Sequence, residues 1–432
     1  MNKVMAQIDP SEQLSSSISN TPPVADIHFP GSGDWLSAEE LSTLTPGLLK
    51  ERTLALKPMI AARARETELA RRPLDDVWAA LRRSGIFYHF VPKVYGGLEF
   101  GIQDLLDIML PIAEACGSTG WVATFCVEHM FIFTQFPQAA QDEIYATTPY
   151  IIFPGLNGPP GKARKVAGGY VVSAHWKWGS GVMNADWVMG QAFLEVDGIV
   201  SSPPSSANYL IPAKEVTVLD TWHMSGMCGT GSNDIVVKDV FVPEHRTLAA
   251  QDFLNSTGPG TSLHTNPLYR VPIVPFTSIT TMIPALGAAR SVVGHYIERA
   301  DRVVVGGTVK SRDRQPVQIR LSRADVMVKT AEMLVRSSTD LIMAAATRGD
   351  PTDSGLRRRI RAQNAYAMTL CRDAITMVME GSGAGVHTLD NPLQRHQRDV
   401  NIVAGHALYD VDLAHEGYGR ALFGLEPNSP IW

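Results

Sequence analysis

Hydrophobic positions follow two periods along the chain, and the period changes twice. From Leu48 to about Tyr145 they recur at three- and four-residue spacing with charges between, as in LLKERTLALKPMIAARARETELARR. That spacing predicts amphipathic helices. LDDVWAALRRSGI, after Pro73, predicts a short helix ended by Gly85. PKVYGGLEF is a loop, residues 103–116 and 119–135 predict two largely buried helices, and PQAAQDEIYA predicts another, started by Pro137. Near Pro149 the pattern changes. YIIF is a short apolar run, and KVAGGYVVSAHWKW alternates after the Gly168-Gly169 turn. Tyr170, Val172, Ala174, Trp176 and Trp178 would share one strand face, with Val171, Ser173, His175 and Lys177 on the other. ADWVMGQAFL, ANYLIPAKEVTVL and NDIVVKDVFVP predict further strands, enough for a small sandwich or barrel. After about Pro275 the helical period returns. Val328, Ala331, Val335, Leu341 and Ala345 step along one stripe, and further helices are predicted over 362–379 and from Gln397.

The order is helical, then β, then helical, with no internal repeat. We divide the chain into an N-terminal arm (1–45), an N-terminal helical domain (46–148), a middle β domain (149–265) and a C-terminal helical bundle (266–432). The class is α+β, mainly α. The arm is rich in Ser, Pro, Gly and Asn. Disorder and an extended path over the core both suit it.

Composition narrows the partners. The chain has 432 residues, 45% of them hydrophobic, and a formal net charge of -5. This is enough to bury a sizeable core, and the charge gives no reason to expect nucleic acid. There is no apolar leader at the N-terminus and no apolar run of 18 residues, so a cytoplasmic protein without a membrane span is expected. Cys116, Cys126, Cys228 and Cys371 form no C-x-x-C pair and read as free thiols.

Several motifs fail on inspection. GLNGPPGKA lacks the P-loop spacing, has Ala163 where Ser/Thr is needed, and loses two amide donors to Pro159 and Pro160. GSGAG at 381–385 follows a helix, so it reads as a helix end and turn. No Ser has the glycines of a nucleophile elbow, and Glu128-His129 is not H-E-x-x-H. His406 and His415 lie nine apart on an expected helix, on opposite sides, and make poor metal partners. No metal site, NAD motif or ATP motif is therefore expected.

Three segments carry more. WKWGSGVMNADWVMGQAF (176–193), GMCGTGSNDIVVKDVFVPEHR (226–246) and QRHQRDVNIVAGHALYDVDLAHEGYGRALFGLEP (394–427) resemble the acyl-CoA dehydrogenase fold. Within it they resemble the oxygenase components of two-component flavin-dependent monooxygenases, such as p-hydroxyphenylacetate hydroxylase and the hydroxylases of steroid and indole compounds. The resemblance implies an N-terminal helical domain, a middle β-barrel or sandwich and a C-terminal four-helix bundle, assembled as a homotetramer. It implies reduced flavin (FMN over FAD) made by a separate NAD(P)H-dependent flavin reductase. O2 would be co-substrate, and a small aromatic or polycyclic compound would be hydroxylated through a flavin C4a-hydroperoxide. Such a species needs a dry pocket.

The resemblance also assigns residues. Ser180, in W-x-W-x-S-G, matches the hydroxyl beside flavin N5, with Gly181 admitting the ring close to the backbone. Trp176 and Trp178 would wall the site, with Trp178 towards substrate; packing in the core suits them equally. His406, in G-H-A-L-Y-D, matches the active-site histidine, able to move a proton near neutral pH. His129, in F-C-V-E-H, suits both a substrate contact and a satisfied core histidine. Arg302 matches an arginine near the flavin phosphate; a solvated helix face is the other reading of the stretch 299–323, where seven Lys/Arg meet two Asp.

Two departures shape the reading. HALYDVDLAHEGYG lacks the Tyr-Glu-Gly-Thr pattern of the acyl-CoA dehydrogenase base, which argues against thioester dehydrogenation. IVPF at 273–276, with Arg270 displaced, stands where the p-hydroxyphenylacetate enzymes place a carboxylate-binding Arg, so a less acidic substrate is implied. An acyl-CoA dehydrogenase or oxidase, and a non-catalytic flavin or ligand carrier, are the alternatives.

Overall fold

A computed structural model describes residues 21–24, 35–196, 199–200, 205–303, 307–351 and 353–428. The N-terminal arm falls largely outside them, at 1–20 and 25–34. Residues 21–24 take the extended path, with the Val24 amide donating to Val218 O and the Asp220 amide to Pro22 O.

The first helical stretch holds α1 (Ala38–Ser42), α2 (Pro46–Ala70), α3 (Asp75–Ser84), α4 (Ile102–Ala115), α5 (Gly117–Phe133) and α6 (Gln138–Tyr145). Local chemistry sets their ends. Ser37 and Glu40 form a capping box on α1, Thr45 caps α2 ahead of Pro46, and α3 stops at Gly85. Gly85 has φ +96°, a left-handed conformation that glycine adopts without strain. Every residue of α5 except Phe125 is buried, so this helix runs through the middle of the molecule.

The strands are β1 (Gly155–Val166), β2 (Gly169–Trp176), β3 (Trp187–Val196), β4 (Ile199–Val200), β5 (Ser206–Pro212), β6 (Thr217–Leu219), β7 (Asp234–Pro243) and β8 (Thr247–Ala249). They join one eight-stranded sheet in the order β6-β7-β2-β1-β3-β5-β8, with β4 paired to β3. β1 and β3 are parallel, and every other pairing is antiparallel. Among the described residues the pairing runs from β6 to β8 as one mixed central sheet. Trp176 lies fully buried on its face. Its Nε1 donates to Gln191 O at 2.9 Å, and its ring fills the space above Gly190, where a Cβ would lie 2.3 Å from a ring carbon.

The remaining helices are α7 (Ala250–Asn255), α8 (Ile273–Thr280), α9 (Ile283–Arg299), α10 (Gln315–Arg348), α11 (Ser354–Glu380), α12 (Pro392–Ala404) and α13 (Val411–Leu422). α9 and α11 pack on each other, and both pack on α10 and α12, giving the expected four-helix arrangement. The helix expected from Gln397 begins at Pro392 and breaks at Ala404. His406 and His415 are therefore not on one helix. His406 opens a short 3-10 turn (Ala407–Tyr409), and His415 belongs to α13. Two hydrophobic cores result. One joins both helical stretches in a single cluster from Leu36 to Tyr409, and the other belongs to the sheet.

Candidate active site

α5 organises the site. Trp121, Phe125 and His129 are spaced by four residues and so share one face of the helix. Their rings run in series: Trp121 stacks on Phe125 at 5.9 Å between centroids, and Phe125 lies 4.2 Å from His129. The series continues at both ends, from Trp121 to His406 (5.9 Å) and from His129 to Phe153 (4.9 Å). Phe125, the one half-exposed ring on a buried helix, marks the open side of this row.

Ser180 meets the same row from the sheet. β2 ends at Trp176, and the following loop is held by the Gly179 amide donating to Asn233 O at 2.9 Å. Gly181 has φ +90°, and a Cβ on it would lie 2.9 Å from Cys126 Sγ on α5. The loop thus rests directly on the helix. Ser180 is buried, and its Oγ accepts from Trp121 Nε1 at 3.0 Å. Ser180 Oγ lies 2.7 Å from Ser232 Oγ, Ser232 Oγ lies 2.7 Å from Thr230 Oγ1, and Thr230 donates to Met227 O at 3.0 Å.

The two histidines present opposite faces. Burial pushes both imidazoles down to about 4, so both are neutral near pH 7. His129 Nδ1 lies 2.6 Å from Phe153 O, and a carbonyl only accepts, so the ring proton sits on Nδ1 and Nε2 is bare. His406 Nδ1 accepts the Leu408 amide at 3.3 Å, which leaves its proton on Nε2. One ring offers an acceptor and the other a donor.

Glu128 sits beside His129. Its Oε2 accepts from the Thr280 hydroxyl, and its Oε1 is 3.9 Å from His129 Nε2. Burial pushes its carboxyl up to about 8, the Thr280 bond opposing only part of the rise. The turn bearing His406 is anchored by three hydrogen bonds. Arg361 on α11 donates to Ala407 O at 2.9 Å and Leu408 O at 3.4 Å, and the Tyr409 hydroxyl donates to Ser278 O at 3.0 Å.

Ser180, Gly181 and His406 are therefore gathered against the helix that carries His129, with Trp121 as the link. Trp178 is not where alternation put it. The strand has ended, its φ is +64°, and 69% of the residue is exposed, so it does not share a buried face with Trp176. Arg302 lies exposed in the turn after α9 rather than on a helix face, and among the described residues no contact ties it to Ser180 or His406. Trp121, Phe125, Glu128, Thr230, Ser232, Arg361 and Tyr409 were not foreseen. The four-residue spacing back from His129 marks the first two. Among the described residues no cluster of His, Cys, Asp and Glu could hold a metal, and no helix is long and apolar enough to cross a membrane.

A family model for the acyl-CoA dehydrogenase C-terminal domain matches residues 279–411. The chain is 36% identical over 384 residues to the pigment production hydroxylase of Rhodococcus sp. (strain ATCC 21145), covering 89% of this chain and 98% of that one. It is 32% identical over 378 residues to the flavin-dependent monooxygenase oxygenase subunit HsaA of Rhodococcus jostii (strain RHA1), covering 87% and 98%. The structure of XiaF from Streptomyces sp. in complex with FADH2 and glycerol superposes with a TM-score of 0.84 at 30% identity, covering 91% and 98%. The missing dehydrogenase base pattern, the ring-lined helix and these relatives agree: the chain belongs to the oxygenase components of flavin-dependent monooxygenases, enzymes with the acyl-CoA dehydrogenase-like fold.

Proposed function

We propose that this enzyme takes up reduced FAD from a separate NAD(P)H-dependent flavin reductase and uses it with O2 to hydroxylate a small aromatic compound lying against Trp121, Phe125 and His129. The observation that carries the reading is the link from Ser180 through Trp121 to His406 and His129. It brings a flavin-side hydroxyl, an aromatic wall and two neutral imidazoles of opposite polarity to one helix face.

The residues suit a flavin. Ser180 keeps one unused lone pair at a buried position, and the exposed Trp178 ring two residues away offers a flat apolar surface to a planar ring system. Bound there, reduced flavin supplies the electrons that activate O2. The chain does the rest. Ser180 accepts a hydrogen bond from the flavin ring, with Gly181 letting the backbone approach. His129 Nε2 accepts from a substrate hydroxyl, and His406 Nε2–H donates to oxygen during transfer. The aromatic row excludes water. Arg302, exposed after α9, is open to the flavin phosphate.

We assign FAD over the FMN expected from the sequence because the Streptomyces relative, 30% identical, is solved with FADH2. A homotetramer is supported by Ile319, Val326 and Met333, which lie exposed at seven-residue spacing along α10. Mixing the enzyme with pre-reduced FAD and a phenolic substrate, then admitting O2, should give hydroxylated product without any reductase. Release of all the oxygen as hydrogen peroxide across a panel of aromatic compounds would count against hydroxylation. NADH oxidation by the chain alone would overturn the need for a reductase.

A further inference from the structure

The hydroxyl chain beneath Ser180 has a fixed direction, and its far end imposes it. At one end Trp121 Nε1–H can only donate, so Ser180 accepts. At the other end Met227 O can only accept, so Thr230 donates. The reverse setting would press two acceptor oxygens together at 3.0 Å. Met227 O is itself held by Trp222 Nε1 at 2.9 Å, and the Met227 amide by Asp399 Oδ1 at 2.6 Å. With its one hydrogen committed to Met227, Thr230 must accept from Ser232, and Ser232 must accept from Ser180. Ser180, Ser232 and Thr230 are all buried, so no bulk water competes for these hydrogens. Ser180 is left with no hydrogen to give and one lone pair to offer.

We infer that Ser232 and Thr230 are positioning residues that make Ser180 an acceptor only, so that the site selects flavin carrying hydrogen on N5, the reduced form, over oxidised flavin, whose N5 is an acceptor. The inference rests on the flavin reading above and deepens it: the redox state is recognised by hydroxyls that never touch the ring. An oxidised ring meets lone pair against lone pair at Ser180, whereas a reduced ring completes the hydrogen-bond chain.

The test is the ratio of dissociation constants for oxidised and reduced FAD, measured anaerobically on the full-length protein by titration. The wild-type protein should prefer reduced FAD. Ser232→Ala frees the Ser180 hydrogen to turn towards N5, and Thr230→Val, close in shape, lets Ser232 donate to Ser180 and reverse the chain. Each should lower the ratio about tenfold, chiefly by tightening oxidised FAD. Ser232→Thr, which keeps the hydroxyl, should hold the wild-type ratio. A packing role would weaken both redox forms together and leave the ratio unchanged. An unchanged ratio in both hydroxyl-deleted variants, with reduced FAD still bound, overturns this inference alone. A wild-type protein that binds neither form overturns the flavin reading and this inference with it.

Discussion

Trp121 Nε1 donates to Ser180 Oγ at 3.0 Å, and through this bond the helix carrying His129 is tied to the loop that follows the strand of Trp176. The indole serves two ends at once, its N–H meeting Ser180 and its ring lying 5.9 Å from that of His406. Trp121→Phe keeps a ring and deletes the donor. We expect a loss of about 1 kcal/mol in unfolding free energy. The Met227 end still orders the Ser180 hydroxyl through Thr230 and Ser232, so selection for reduced flavin should be kept. A melting curve and a binding titration check the two outcomes separately.

Glu128 should make the protein less stable as pH rises. Its carboxyl stands at about 8 in the fold against an ordinary 4.5, so between those values the folded state holds a proton that the unfolded state has lost. Stability attached to this group is full below about 4.5 and is lost as pH climbs towards 8. Glu128→Gln removes the titration. The stability gap between variant and wild type should move in the variant's favour by on the order of 2–4 kcal/mol across that window. Urea unfolding at several pH values measures it, and parallel curves would refute it.

His396 works in the opposite sense. Burial, aided by Arg395, pushes its imidazole down to about 3 from 6.5. The unfolded chain therefore binds a proton first as pH falls, and stability drops from about pH 6.5 towards pH 3. His89, His129 and His406, each near 4, add to the same trend. His396→Gln should show a shallower acid loss than the wild-type protein when unfolding is followed between pH 6.5 and 4.

Gly190→Ala should be among the costliest single changes in the sheet. The added methyl meets the Trp176 ring at 2.3 Å, and that ring is pinned by its bond to Gln191 O. Overpacking of this kind costs about 1–3 kcal/mol or more. Thermal unfolding reads it directly, and a melting temperature within a degree of wild type would contradict the packing described.

Arg361→Ala should disturb catalysis through His406. The guanidinium holds the carbonyls of Ala407 and Leu408, so its loss frees the turn that sets the imidazole. We expect a lower turnover with more oxygen released as hydrogen peroxide, and little change in flavin affinity. Comparing product formed with oxygen consumed checks this. Equal coupling in variant and wild type would remove Arg361 from a positioning role.

The order of helical and β stretches was legible because periodicity survives in long elements. The buried helix of His129 and the capped ends at Gly85 and Pro137 followed from apolar runs and punctuation. Alternation misled at Trp178, because it continues in the sequence after the backbone has left the strand at a positive φ. The break after Ala404 was hidden for a similar reason: Gly405 and His406 interrupt no hydrophobic stripe, and the turn is held by Arg361, a distant residue. Ser232 was missed although its segment was singled out. Strand pairing brings it to Ser180, since Trp176 lies opposite Ile235 in an antiparallel pair and the Gly179 amide, just beyond, donates to Asn233 O. That relation needs the pairing, which one strand does not declare.

The helical core joins residues from Leu36 to Phe153 with residues from Leu268 to Tyr409 in one cluster, on either side of the sheet segment. On the ribosome the early helices are made long before the late ones that cover them. The apolar face of the helix carrying Trp121 and His129 therefore waits, through synthesis of more than a hundred further residues, for α8 and α9 to arrive. Arrival of α8 and α9, rather than completion of any early unit, is the event that covers this face, and a chain cut short after the sheet would leave it uncovered.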